Sequence, residues 1–201
     1  MDIDTTTASP VDLEPAARLL AGLLDGIGEQ RLDGPTPCPD YAVRELLAHV
    51  LGLSTAFRDA ARKDLGPTTD TPPDAGLPVL PDDWRTALPP LLDELVAAWR
   101  DPAARQGMTR AGGVDLPGGV ALLVVLDELV IHGWDLARAT GQEYTGDEAS
   151  LRAALELLTP EEGGTRPETI FGPPVPVPAG APLLDRTVAM SGRRPDWRPG
   201  G

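Results

Sequence analysis

Val120-Ala-Leu-Leu-Val-Val-Leu-Asp-Glu-Leu-Val-Ile-His-Gly-Trp-Asp135 is the stretch that decides how this chain folds. Its apolar residues cover almost every face of a helix, as expected for a helix buried among others. The purest apolar part, Val120 to Leu126, is far too short to span a bilayer. Against that background Glu128, His132 and Asp135 share one face, within about 40° of Glu128 at the helical repeat. Glu128 and His132, four apart, project side by side. A buried ionised carboxylate is costly unless it is paired or coordinates a metal. The first basic residue on the helix, Arg138, points elsewhere. The chain has only one other histidine, His49. Delivered from a second helix, His49 completes a His, Glu, His constellation with room for water or substrate. Spacing alone leaves two readings open: a divalent metal site, or a Glu–His pair hydrogen-bonded in the core.

Working outward, Gly141 stops this helix, predicted over about Val120 to Ala139. Val11 to Glu29 reads as an amphipathic helix, with Leu13, Ala16, Ala17, Leu20, Leu23, Leu24 and Ile27 at helical spacing. Gly34-Pro-Thr-Pro-Cys-Pro39 is a stiff connector. Asp40 reads as the N-cap of a second helix running to about Lys63. On it Val43, Leu46, Val50, Leu53 and Phe57 form the apolar arc, with His49 at the arc's edge. Gly66 to Pro81 reads as a surface loop. A third helix spans about Asp82 to Trp99, broken or kinked by Pro89-Pro90. Arg110 to Gly119 is a glycine-rich turn, and Asp147 to Leu158 a shorter helix. Phe171-Gly-Pro-Pro-Val-Pro-Val-Pro178 must be extended, and a last helix covers Ala181 to Met190. Period-two strand signals are essentially missing. The expected fold is therefore all-α, an antiparallel four-helix bundle with a short extra helix and a Pro-rich C-terminal strap. Residues 1–201 read as one domain, with 165–201 as strap and short helix.

Other polar residues on the chain have plainer readings. Glu45 repeats the Glu-x-x-x-His spacing with His49 but faces the polar side of its helix, which favours a solvated or outer-sphere role. Cys38 precedes His49 by eleven residues, about 16 Å along a continuous helix, and reads as a passive cysteine in a proline-rich turn. Trp134 and Asp135 either line a pocket, or hold a ligand histidine's free ring nitrogen, or simply pack. Arg193-Arg194 read as solvated.

The balance of 31 acidic to 17 basic residues gives a formal charge of -14. Such a surface repels phosphate backbones and anionic lipid, which disfavours nucleic-acid and membrane partners. A single cysteine excludes an internal disulfide and suits a reducing compartment. Met1-Asp-Ile-Asp-Thr-Thr-Thr7 lacks the basic and apolar parts of a signal peptide. A cytoplasmic location is expected.

Two blocks resemble a known family. Thr36-Pro-Cys-Pro-Asp-Tyr-Ala-Val-Arg-Glu-Leu-Leu-Ala-His49 and Asp127-Glu-Leu-Val-Ile-His-Gly-Trp-Asp-Leu-Ala-Arg-Ala-Thr-Gly-Gln142 look like the metal-binding domain of mycothiol-dependent maleylpyruvate isomerases. The segments Phe171 to Arg186 and Ser191 to Pro195 resemble a single-domain branch of that family. The resemblance implies a DinB-like (YfiT-like) four-helix bundle with His49, Glu128 and His132 as ligands to a divalent metal, most commonly zinc. It also implies a thiol cosubstrate such as mycothiol, whose thiolate the metal favours, and an electrophilic substrate: a thiol-dependent transferase or isomerase. The isomerase proper carries a further C-terminal domain implicated in activity, where this chain has the strap and short helix. A non-catalytic bundle holding a metal or small ligand is the alternative.

Overall fold

The computed structural model describes residues 11–72, 76–77, 79–159 and 172–200. The Met1 to Thr7 stretch and the part of the C-terminal segment before residue 172, Phe171 included, lie outside these. The described residues are mostly helical, with one small sheet. In chain order they form α1 (Glu14–Leu23), α2 (Val43–Arg62), α3 (Pro67–Asp70), α4 (Trp84–Arg100), the strands β1 (Met108–Ala111) and β2 (Val114–Pro117), α5 (Gly118–Thr140), α6 (Glu148–Leu158) and α7 (Leu183–Met190). Among the described helices, none is long and apolar enough to cross a membrane.

The core follows from α5. Leu122, Val125, Leu126, Leu129, Val130, Ile131, Trp134 and Leu136 are all buried on it, so this helix requires neighbours on several sides. It packs on α1, α2 and α6, while α1 and α2 both also pack on α4. The facing residues are Leu20 of α1, Leu46, Leu47 and Val50 of α2, and Leu88, Leu92 and Leu95 of α4, each buried. This is the apolar burial from which such a fold draws most of its stability.

Several boundaries depart from the sequence reading. The first helix is shorter than expected and continues as single 3-10 turns at Leu24–Gly26 and Glu29–Arg31. There the Arg85 guanidinium, reaching over from α4, donates to the Leu24 carbonyl at 2.7 Å and to the Ile27 carbonyl. Asp40 does not cap α2. Helix α2 begins after Ala42, and the Val43 and Arg44 N–H groups donate to the carbonyls of Gly34 and Leu32 at 3.0 and 2.9 Å. Backbone acceptors thus do the work expected of an aspartate side chain. Within the predicted loop, α3 forms one short turn of helix.

Helix α4 runs through Pro89 and Pro90 unbroken. The carbonyls that lose their i+4 donors belong to Arg85 and Thr86, which are half-buried and exposed respectively, so water can satisfy them. The expected glycine-rich turn is the tip of a β-hairpin, which corrects the all-α reading. Gly112 and Gly113, at φ 60° and 75°, supply the two positive-φ positions of a tight hairpin turn. Arg110 and Asp115 pair across the strands at 2.7 Å. Four-residue strands are too short to show a period-two pattern.

Asp147 caps α6 by accepting from Ser150 N–H at 3.0 Å, and α6 packs on α7. Residues 172–179 carry no regular secondary structure, and Val175 N–H donates to the Ala189 carbonyl at 2.9 Å. This pairing lays the proline-rich stretch along α7.

Two glycines in helices should respond oppositely to alanine. A Cβ at Gly118 would sit 2.3 Å from the Ala104 carbonyl oxygen, whereas one at Gly52 meets nothing within 4 Å. Gly118→Ala is expected to lower unfolding stability by about 1–3 kcal/mol through overpacking against backbone. Gly52→Ala, inside α2, is expected to raise it by about 0.5–1 kcal/mol. Urea denaturation of both variants checks the signs.

Candidate metal centre

Helix α5 carries Glu128 and His132 one turn apart, and α2 brings His49 against them. Glu128 Oε2 lies 2.9 Å from His132 Nε2 and 3.6 Å from His49 Nε2. The two imidazoles meet edge to face with centroids 5.0 Å apart. One donor atom from each of the three residues lies within 4.8 Å of the others. The constellation anticipated from spacing is therefore assembled, with both helices supplying a rigid frame.

Asp135, one turn beyond His132, is fully buried. Its Oδ2 lies 3.1 Å from His132 Nδ1 and 3.1 Å from Arg193 Nη2. An aspartate paired with arginine is ionised and only accepts, so His132 Nδ1 is the donor of that bond. The neutral His132 ring then carries its lone pair on Nε2, aimed at Glu128 Oε2. That oxygen is buried, and with the ring neutral it receives no proton from Nε2. Lone pairs converging on a carboxylate oxygen call for a cation: a proton or a metal ion.

The titration behaviour agrees. Burial alone would push the His132 imidazolium pKa down, but Asp135 and Glu128 together raise it to about 9. Burial alone would raise the Glu128 carboxyl. The hydrogen bonds and charge of His132, then of His49, outweigh it and hold that carboxyl well below the usual range.

The donor set fits a divalent ion. Bonds of about 2 Å to nitrogen and oxygen put neighbouring ligand atoms of a tetrahedral site ~3.4 Å apart, between the two separations observed around Glu128 Oε2. The side chains of His49 and Glu128 remain 20% and 22% exposed, against 9% for His132. The cluster therefore opens to solvent on the side of His49.

The remaining candidates divide. Glu45 lies on α2 one turn before His49, half-buried, with Oε2 unpartnered, and stands outside the three-residue cluster. Trp134 is buried in the core with the Arg138 guanidinium 5.4 Å above its ring. Cys38 corrects the distance argument. Residues 38–42 are not helical, so no helical rise separates it from the site. Thr36 Oγ1 accepts from Cys38 N–H at 3.1 Å and bonds the Tyr41 carbonyl at 2.7 Å. This knot folds Cys38 back within electrostatic reach of Arg193 and Asp135. Its thiol is not acidified: burial pushes it up to about 11, with Arg193 opposing.

Two residues were missed. Arg193, read as solvated, is only 14% exposed and grips Asp135, while Arg194 beside it is 70% exposed and pairs with Asp196. Tyr41 lies over His49 with centroids 5.2 Å apart. Burial, then Cys38 and neighbouring carboxylates, raise its phenol pKa, so the hydroxyl stays protonated. Tyr41 stands inside the first quoted motif, the only signal that marked it. Nothing local marks Arg193.

Comparisons with known proteins agree with this architecture. A family model, the mycothiol maleylpyruvate isomerase N-terminal domain, matches residues 13–137. Two uncharacterized proteins, from two strains of Mycobacterium tuberculosis, are each 28% identical over 180 residues. The match covers 86% of this chain and 91% of each relative. Crystal structures of the mycothiol-dependent maleylpyruvate isomerase superpose with TM-score 0.58 at 20% identity, covering 77% of this chain and 70% of theirs. A histidine-to-alanine mutant of that isomerase gives the same TM-score at 19% identity, with 74% and 67% covered. At this identity the likeness is one of fold.

The raised thiol pKa has a consequence for reactivity. Cys38 in the native protein should be alkylated by iodoacetamide very slowly at pH 8. The rate should climb about tenfold per pH unit up to about pH 11. In denaturant the rate should level off near pH 8.5, the ordinary thiol value. Mass spectrometry of the alkylated chain follows both.

Proposed function

The chain belongs to the mycothiol maleylpyruvate isomerase N-terminal domain family, and from that premise we propose a divalent-metal-dependent enzyme that uses a small thiol of the mycothiol type. Its reaction class is transfer or isomerisation of an electrophilic substrate through the thiol. His49, Glu128 and His132 hold the metal, with two nitrogens and one oxygen suiting zinc. The observation that carries this reading is the convergence of three donor atoms on one opening, two of whose side chains are about one-fifth exposed. Structural zinc sites close with four protein ligands, whereas catalytic ones keep a position free. We further read α1, α2, α4 and α5 as the four helices of a DinB-like bundle in one domain, with residues 172–182 as its Pro-rich strap.

A divalent ion at this cluster supplies Lewis acidity and favours the thiolate form of a bound thiol. The chain's own residues do the rest. Glu128 supplies negative charge and His132 and His49 supply neutral nitrogens. Asp135 holds the proton on His132 Nδ1, which keeps Nε2 as a lone-pair donor. Tyr41, protonated and beside His49, offers a hydrogen-bond donor at the mouth of the site. Cys38, buried and neutral, does not replace the exogenous thiol. The partly exposed rim admits substrate, and the apolar core of α2 and α5 closes the inner face.

Protein purified without a histidine tag is expected to contain one zinc per chain by elemental analysis. Glu128→Gln and His132→Ala should each remove it, and Cys38→Ser should not. Calorimetric titration with mycothiol should show binding to the zinc-loaded protein and none to metal-free His49→Ala. Zinc retained by His132→Ala would refute the ligand set. Full zinc with no thiol binding at millimolar concentration would point to a passive metal-binding bundle.

A further inference from the structure

The metal-ligand face of α5 is built around a problem that α5 cannot solve. Asp135 is fully buried, and a buried carboxylate without a counter-charge is strongly destabilising. Its partner comes from far along the chain, from the turn that follows α7. Helix α7 ends at Met190, with Ser191 as its C-cap. Gly192, at φ 88°, reverses the chain, and the Gly192 and Arg193 N–H groups donate back to Ala189 and Val188 at 3.1 and 3.0 Å. This C-terminal cap turns Arg193 inward. A Cβ at Gly192 would lie 2.9 Å from Gly172 Cα, so the turn is also seated against the chain before α7.

The Arg193 guanidinium meets Asp135 as a fork: Nη2 to Oδ2 at 3.1 Å and Nε to Oδ1 at 3.4 Å. Nη1 donates to the Ser191 carbonyl at 3.1 Å, which ties the guanidinium to its own turn. A bidentate pair fixes the plane of a carboxylate as well as its charge. Oδ2, the oxygen that takes Nη2, is the same atom that takes His132 Nδ1. Two bonds on one oxygen link the tilt of the guanidinium to the rotation of the imidazole.

We propose that Arg193 is a positioning residue for the cluster: through Asp135 it sets the ring orientation of His132, so that Nε2 points at the ion position beside Glu128. The matched family segment ends at residue 137, and this chain supplies the outer support from its own residues 191–193. The turn after α7 is thereby a working part of the site, joined to α5 through Arg193. For its zinc arm the inference rests on the metal reading above; its second arm does not.

The full-length chain with Arg193→Gln is compared with wild type, Arg193→Lys and Arg194→Gln. Competition with a chromophoric chelator gives the zinc affinity. With only two histidines in the chain, nitrogen-15 spectra of histidine-labelled, metal-free protein give the ring state of His132. Arg193→Gln is expected to weaken zinc binding about ten- to a hundredfold, the usual effect of losing an outer-sphere partner. It should also shift the His132 Nδ1–H signal and speed its exchange with water, because the Asp135 acceptor is no longer held in place. Lysine, which keeps the charge without the fork, should restore part of the affinity. Arg194→Gln, altering an exposed neighbour, should match wild type in both measurements.

Zinc affinity and ring spectra unchanged in Arg193→Gln would overturn the proposal, as would an equal effect from Arg194→Gln. If Arg193→Gln misfolds by circular dichroism, Asp135→Asn combined with Arg193→Gln removes the unpaired buried charge. That variant is then expected to fold and still bind zinc more weakly, and wild-type affinity in it would equally overturn the idea. A wild-type protein that binds no zinc would remove the metal reading alone, because the metal-free spectra still judge Arg193.

Discussion

One imidazole held between two carboxylates, the fully buried Asp135 and the partly buried Glu128, governs this structure. His132 faces Glu128 with one ring nitrogen and Asp135 with the other, at 2.9 and 3.1 Å, on a helix otherwise lined with leucine, valine and isoleucine. In a low-dielectric interior two carboxylates cannot stand without positive charge or donors nearby. The solution is distributed over the chain. Helix α2 brings His49 to Glu128, and the turn after α7 brings Arg193 to Asp135. Elements separated by more than a hundred residues are therefore committed to one small volume.

That commitment depends on how the surrounding helices are packed. α5 is anchored by apolar contacts on several sides, so its polar face cannot rotate away from its partners. Helix α2 is likewise held from both ends of the problem. Its apolar arc packs on α4 and α5, and its first turn is tied to the Leu32 and Gly34 carbonyls. The loop before it is knotted by Thr36, which sets Tyr41 over His49 and tucks Cys38 into the interior. Function of the kind proposed needs this contrast. A pre-set inner face costs little reorganisation when charge develops, and an open rim at His49 and Glu128 leaves a way in for small molecules.

The cluster also shows how little of a site is carried by the residues that would touch a ligand. Glu128, His132 and His49 make the donor set, yet the tautomer of His132 is decided by Asp135, and the orientation of Asp135 by Arg193. Each step is one hydrogen bond removed from the opening, and each group is more buried than the last until Arg193 comes back toward solvent. Such outer partners commonly matter nearly as much as the ligands themselves.

Much of this was legible from residues alone. The all-round apolar character of Val120 to Leu136 required a central helix, and the spacing of Glu128, His132 and Asp135 placed them on one face. Scarcity added the rest: with one other histidine in the chain, His49 was the natural partner. Local chemistry also read correctly where it was strictly local, as with Gly141 ending α5 and the short helix expected from Asp147 to Leu158. What the residues could not show were outcomes decided by distant neighbours. Asp40 lost the cap of α2 to the carbonyls of Leu32 and Gly34. Pro89 and Pro90 were absorbed because the orphaned carbonyls sit toward water. The strands at 108–117 are too short to carry a period. Cys38 lies beside the site because its loop folds back, and Arg193 is buried because a glycine turn after α7 aims it at Asp135. Helical periodicity is a property of neighbours three and four apart, which sequence records directly. Which side chain neutralises a buried charge depends on contacts between distant parts of the chain, and only the folded structure decides those.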